Sequence, residues 1–342
     1  MLPARIEDAA HLEDLLSEPT PRVVETLARI AGDIVVLGAG GKMGPTLARM
    51  ARRAADLAGT PRRVIAVSRF TTAARERLEA HGVETLAGDL LDPAAVEGLP
   101  EAPNVIFMAG RKFGSTGAES LTWAMNCYLP ALVARRYGSS RIVAFSTGNV
   151  YGLTPAGRGG SRESDRPAPV GEYAMSCLGR ERMFEHFSHS ASTPVVLLRL
   201  NYAVEMRYGV LVDLASRILA DEPIDVAMGY VNVIWQGDAN AMALAALDHA
   251  TSPAAIVNIA GEEELSVRGL AAQLGSRLAR TASIVGCEAP DALLSNGVTG
   301  RAWLGAPRVS IERMLDWTAD WLMRGGATND RPTHFGSRDG RF

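Results

Sequence analysis

The sequence predicts an α/β fold: a doubly wound parallel sheet joined to a smaller carboxyl-terminal α/β lobe. Three observations predict it. From Asp33 to about Leu200, short aliphatic runs alternate with longer amphipathic stretches; the first run ends in a glycine-rich turn; and beyond Leu200 the rhythm loosens. Short, continuous, β-branched runs are the signature of strands covered on both faces, and helical segments between them imply right-handed crossovers.

Residues 1–32 precede the first strand and have the pattern of one or two helices, interrupted at Pro19 and Pro21; packing on the outside of the sheet is their default role. The strands of the dinucleotide-binding domain, residues 33–200, are expected in DIVVLG, RRVIAVS, GVETLAG, NVIFMAG, SRIVAFS and TPVVLLRL. Residues 201–325 are expected to form mainly the substrate lobe. They offer a helix near 210–220, a strand at 231–235, a helix from Asp238, a strand in AIVNIAG, a helix near 265–279 and a last helix from Ser310 to about Met323. Residues 326–342 have no periodicity and much Gly, Asp and Arg, so a flexible tail is expected, with a tail folded on a neighbouring subunit as the alternative.

With 47% hydrophobic residues in 342, the chain can bury the cores of two lobes. Its net charge of -3 comes from 35 basic and 38 acidic residues mixed along the sequence. There is no basic block of the kind that neutralises phosphate backbones, so nucleic acid is not an expected partner. The start, MLPARIEDAAHLEDLLSEPT, is acidic and lacks the apolar centre of a signal peptide, and no run approaches membrane-spanning length. Cys127, Cys177 and Cys287 are isolated, which suits a reducing compartment. A soluble, cytoplasmic protein is the expectation.

The first strand runs into GAGGKMG, and a helix begins behind it. Gly38, Gly41 and Gly44 have the spacing that lets a backbone turn tightly and approach a pyrophosphate, whose charge then meets the free amides of the helix start. The end of the second strand carries Ser68 and Arg69 where a carboxylate would bind ribose hydroxyls. That pair suits a 2'-phosphate, and Lys42 adds a second cation nearby, so NADP(H) is favoured with NAD(H) as the alternative. Asp89 in AGDLLD either accepts from an adenine amine or caps the helix before Pro93.

FSTGNVYG then ends the fifth strand with Ser146 and Thr147, and YAMSC places Tyr173 on the following helix, with Glu181 beyond. Together with GAGGKMG, AGDLLD, Ala109-Gly110, Asn126, LRLNY, Asp238, VNIAG and WLGAPRVS, these stretches resemble the extended short-chain dehydrogenase/reductases, the NAD-dependent epimerase/dehydratase family, from about Asp33 to Trp321. The resemblance implies a Rossmann-type domain. It places Gly38, Gly41, Lys42, Met43, Gly44, Ser68, Arg69, Asp89, Leu90, Ala109, Gly110 and Tyr173 around the cofactor, with Tyr173 as proton donor and acceptor and Thr147 hydrogen-bonded to the substrate oxygen. Lys112, Thr147, Asn149 and Asn201 are implied to line the substrate, and Arg207 either joins them or forms a surface pair with Glu205. A homodimer through the helices around Leu121–Tyr137 and Tyr173–Phe187 is implied as well.

One departure touches mechanism. Cys177 stands where the family carries the lysine that binds the nicotinamide ribose and lowers the tyrosine pKa. A free tyrosine titrates near about 10, and each unit of depression is worth about 1.4 kcal/mol. Three readings stand: Tyr173 works with a cation from elsewhere, such as Arg111 or Lys112; Cys177 has a chemical role of its own; or catalysis is lost and the fold binds a nucleotide for regulation or structure.

Relatives that take sugar nucleotides hold the diphosphate with arginines. Here AMGYVNVIWQGD puts Val231 at one such place and GCEAPDALLSNG has none at the other. A buried diphosphate without paired cations is poorly held. The sequence therefore points to hydride transfer on a smaller, free carbohydrate or polyol derivative, neutral or acidic, by an oxidoreductase or an epimerase. His186 and His189 belong to a polar helix face, since no third metal ligand has suitable spacing, and Trp317, Trp321 and Leu322 read as packing.

Overall fold

A computed structural model describes residues 2–329 and 332–341. Strands β1 (Ile34–Leu37), β2 (Val64–Ser68), β3 (Glu84–Ala87), β4 (Asn104–Phe107), β5 (Arg141–Thr147), β6 (Val195–Leu200) and β7 (Ala255–Ile259) make one parallel sheet in the order β7-β6-β5-β4-β1-β2-β3. Ile34 of β1 lies beside Val64 of β2 on one side and Asn104 of β4 on the other, so every residue of β1 is buried. The order reverses between β1 and β4, and the carboxyl ends of these two strands flank the crevice where such sheets bind ligands.

Helix α1 (Ala9–Leu16) starts at Asp8, whose side chain accepts from the His11 amide, and α2 (Pro21–Arg29) starts at Thr20, with Pro21 in its first turn. Helix α3 (Gly44–Leu57) follows the glycine-rich turn, and α4 (Gly171–Ala191) runs between β5 and β6. Helices α5 (Val210–Leu219), α6 (Gln236–Ala245), α7 (Val267–Leu278) and α8 (Ile311–Met323) complete the larger elements.

The chain crosses between the two layers more often than a single boundary near Leu200 allows. Segment 234–261, expected in the second lobe, returns to the first: β7 pairs with β6 at the sheet edge, and α6 packs against α2 and α3. Every residue of α6 is buried, which its small side chains, QGDANAMALA, permit. The second lobe is built by α5, α7 and α8 around Val231, Trp235, Trp317 and Trp321, and α1 contributes Leu12 and Leu16 to the same cluster. Trp235 and Trp317 meet at 5.3 Å between ring centroids. No helix of the described residues is long and apolar enough to cross a membrane.

Candidate functional site

Gly38 has φ +86, and a Cβ there would lie 2.5 Å from the Ala109 amide nitrogen at the end of β4; a Cβ at Gly44 would lie 2.5 Å from the Ala39 carbonyl. Both positions are closed to side chains. At Gly41 the nearest atom to an added Cβ is 3.4 Å away, which leaves the turn open toward the crevice. Helix α3 has no side-chain cap at Met43, so its first-turn amides beyond Pro45 are available to an anion. These features fit the pyrophosphate of a dinucleotide.

A cavity of about 360 Å³ opens beside this turn. Its wall joins Gly38, Gly41, Lys42, Met43, Gly44, Gly110, Lys112, Thr147, Asn149, Tyr173 and Asn201, so most of the cofactor and substrate residues expected from the sequence are brought to one place. Tyr173 sits in the first turn of α4. Burial pushes its phenol well above the ordinary tyrosine range, a hydrogen bond with Thr147 and the charge of Arg180 acting in the other direction. The Thr147 hydroxyl also donates to Asn149 Oδ1 at 2.9 Å. Cys177, one turn along α4, is fully buried against Val150, Tyr151 and Tyr173, and burial raises its thiol too.

Two cations stand near the phenol without coming from position 177. Lys112, on the loop after β4, has its ammonium 5.9 Å from the Tyr173 ring centroid, and burial lowers it to about 8. Arg180 comes from α4 itself, two turns beyond Tyr173. Its guanidinium donates to the Phe145 carbonyl and to Asn126 Oδ1, both at 2.7 Å. Asn126 sits in a π-helical turn, Ala124–Tyr128, and also bonds the backbone of Arg111 and the hydroxyl of Ser176. Sequence reasoning passed over Arg180. The signal for it was its spacing: at i+7 it shares the helix face of Tyr173.

The Lys42 ammonium donates to the Ala203 carbonyl at 3.3 Å, lies 3.8 Å from the Tyr208 ring centroid, and is lowered to about 7 by burial. Ser68, Arg69, Asp89, Leu90 and Ala109 lie at the strand ends but outside the cavity wall, with Arg69 exposed. Asp89 accepts from the Leu91 amide, while the cap of the helix at Pro93 is Asp92. Arg207 is outside the wall, and its guanidinium makes the pair with Glu205 that is its alternative reading, together with one to Glu13. Val231 is buried in a two-stranded ladder with Leu265 and contributes nothing to the cavity. Among the described residues no group of three His, Cys, Asp or Glu is placed to hold a metal ion.

Described residues of the tail, expected as a flexible segment, make side-chain contacts with the second lobe and the cavity loop; Asp330, Arg331 and Phe342 lie outside the described residues. The Thr333 amide and hydroxyl donate to Asp213, the Thr333 carbonyl accepts from Lys112 at 3.3 Å, Tyr202 donates to the Phe335 carbonyl, and Arg338 pairs with Asp291. Thr333 thereby joins the cavity wall.

Solved structures share this fold. MoeE5 in complex with UDP-glucose and NAD superposes with a TM-score of 0.69 at 20% identity, covering 86% of this chain and 99% of that one. UDP-glucuronic acid 4-epimerase from Bacillus cereus, in complex with NAD, gives 0.70 at 18%, covering 85% and 96%. The dTDP-glucose 4,6-dehydratase of Bacillus anthracis str. Ames, also with NAD, gives 0.72 at 15%, covering 86% and 97%. At these identities the likeness is one of fold. No curated protein sequence matches the chain. The model of the NAD dependent epimerase/dehydratase family matches residues 34–261, most of the chain and all of the sheet described above; the protein belongs to that family.

Proposed function

We propose that the protein is an NAD(P)-dependent oxidoreductase or epimerase acting by hydride transfer on a carbohydrate-like substrate other than a nucleotide-diphosphate sugar. The observation that carries this reading is the convergence of Tyr173, Thr147 and the Gly38–Gly44 turn on one cavity. A bound nicotinamide dinucleotide supplies the hydride donor or acceptor; the chain supplies alignment and the proton. Thr147 fixes the substrate oxygen beside the Tyr173 hydroxyl. In reduction the phenol gives its proton to the oxygen that gains charge; in oxidation the phenolate takes the proton back. Burial holds the phenol neutral, which favours the reducing direction. NADP is the preferred coenzyme on the strength of Arg69, and NAD the alternative.

Leu121, Tyr128 and Met175 are exposed on the two helices expected to pair in a homodimer, and the mass of the protein in solution tests that pairing. The buried Cys177 favours one second reading, a catalytically impaired nucleotide-binding protein of regulatory or structural role. Purified protein distinguishes them. Coenzyme binding with substrate turnover that Tyr173→Phe lowers by about two orders of magnitude or more supports the enzyme. Coenzyme binding with every measurable function intact in Tyr173→Phe supports the second reading, and absence of coenzyme binding overturns both.

A further inference from the structure

We propose that Arg180 is a positioning residue for the Tyr173 phenol: its guanidinium, held behind the cavity wall at Gly110, supplies the fixed positive charge that position 177 lacks. The inference rests on the hydride-transfer reading above and names the group that readies its proton donor.

Arg180 is 6% exposed, and among the described residues it pairs with no carboxylate. Glu181, the next residue, gives both of its oxygens to Arg199. Arg199 is therefore neutralised, whereas Arg180 meets only the neutral oxygens of Phe145 and Asn126, and its Nε has no hydrogen-bond partner. Arg62 is buried too, but its guanidinium caps the Leu27 and Ile30 carbonyls at the negative end of α2. A buried charge without a counter-charge is costly. A phenolate forming at Tyr173 offsets that cost.

Helix geometry aims the group. Arg180 shares the face of Tyr173 on α4, with Cys177 one turn along from the tyrosine. The guanidinium donates at 2.7 Å to the Phe145 carbonyl on β5, the strand that ends in Thr147, and at the same distance to Asn126 Oδ1. Asn126 Oδ1 also accepts from the Arg111 amide, while Nδ2 donates to the Arg111 carbonyl and to the Ser176 hydroxyl, which donates in turn to the Tyr173 carbonyl. The bonding capacity of the amide is complete, so its orientation is fixed. A Cβ at Gly110 would lie 2.4 Å from Arg180 Nη2. Glycine there lets the charge come up to the wall that Tyr173 and Thr147 also line.

Burial raises both the Tyr173 phenol and the Cys177 thiol, and the charge of Arg180 opposes it in both. Lys112 is the rival cation, with its ammonium 5.9 Å from the Tyr173 ring centroid. Burial lowers that ammonium to about 8, so its charge fades over the range in which a phenolate is called for. A guanidinium keeps its charge there.

The test is a fluorine NMR titration of the full chain, saturated with the better bound of NADP+ and NAD+, in which a polyfluorinated tyrosine replaces Tyr173. Fluorination acidifies the phenol and brings its ionisation into the range where the protein stays folded. Removing the charge in Arg180→Gln or Arg180→Met is expected to move the transition up by about one pH unit or more, and Arg180→Lys to move it by less than about half of that. Two neutral variants guard against one that fails to fold, and thermal melting checks both. Lys112→Met is expected to move the transition less than either. A transition unmoved in the folded neutral variants, an equal shift in Arg180→Lys, or a larger one in Lys112→Met overturns the proposal. An unmoved transition in protein that binds coenzyme sinks this inference alone; failure of the parent to bind coenzyme sinks the reading beneath it.

Discussion

The Lys112 ammonium stands 5.9 Å from the centroid of the Tyr173 ring, reaching it from the loop after β4 and not from the helix that carries the tyrosine. The usual place for such a cation, one turn along α4, holds the buried thiol of Cys177. The phenol is thus surrounded by a displaced charge and much apolar surface, and burial wins: its pKa is raised. A raised pKa makes the protonated form the resting one. Reduction, which needs that form, is expected to lose no activity to ionisation of this phenol up to about 9, below the ordinary tyrosine range, so that a change in kcat near 8 reports Lys112 instead. Oxidation needs the phenolate, whose fraction grows about tenfold per pH unit below the pKa, so its rate climbs over the same interval. Steady-state rates in both directions at saturating coenzyme check this, and an oxidative plateau below pH 8 contradicts it.

Restoring lysine at position 177 tests the geometry from the other side. Cys177→Lys forces a longer side chain among Val150, Tyr151 and Leu178 and is expected to cost about 1–3 kcal/mol of stability. It is also expected to lower the Tyr173 pKa, whereas Cys177→Ser leaves it in place. Ultraviolet difference titration, with Tyr173→Phe as the blank, isolates this phenol from the others. An unmoved transition in Cys177→Lys means that the two side chains do not face each other.

The sheet is legible in the sequence because its strands are aliphatic, short and separated by amphipathic segments. The same regularity hides where 234–261 goes: AIVNIAG announces a strand, yet nothing local says that it pairs with β6 and not with a second-lobe strand. The glycine turn, Thr147 and Tyr173 are legible because spacing fixes them relative to strand and helix ends. Arg207 looks like a cleft residue from its loop, but Glu205 and Glu13 claim it, and Glu13 lies far away in sequence. The tail carries no period because single residues anchor it, Thr333 to Asp213 and Arg338 to Asp291.

Coenzyme choice turns on an exposed residue. Arg69 ends β2 in solvent, and Ser68 is packed near Gly40, where an added Cβ would lie 2.5 Å from the Ser68 hydroxyl. An exposed charge-assisted contact with a 2'-phosphate is worth less than a buried one, so Arg69→Ala is expected to weaken NADP about 5–20-fold and leave NAD within about twofold. Fluorescence titration with both coenzymes measures the ratio. Equal effects on the two coenzymes mean that Arg69 does not read the 2'-phosphate.

Glu181 and Arg199 form an ion pair beneath the site, with side chains 0% and 2% exposed. The Glu181 carboxylate accepts from Arg199 through both oxygens and from the Ser146 hydroxyl at 2.5 Å; Arg199 donates onward to Tyr151, and Tyr151 to Asn258. The network ties α4 to β5, β6 and β7, and Ser146 adjoins Thr147. Glu181→Gln leaves the guanidinium buried without its counter-charge, and a loss of about 3–5 kcal/mol in unfolding free energy is expected. Replacing both partners by apolar residues, Glu181→Leu with Arg199→Met, removes the orphaned charge and is expected to recover part of that loss, even though Tyr151 then gives up one partner. Urea denaturation measures all three proteins, with an unchanged m-value as the sign that the unfolded states are comparable. A Glu181→Gln protein as stable as the parent means that the pair is not as dry as its exposure indicates.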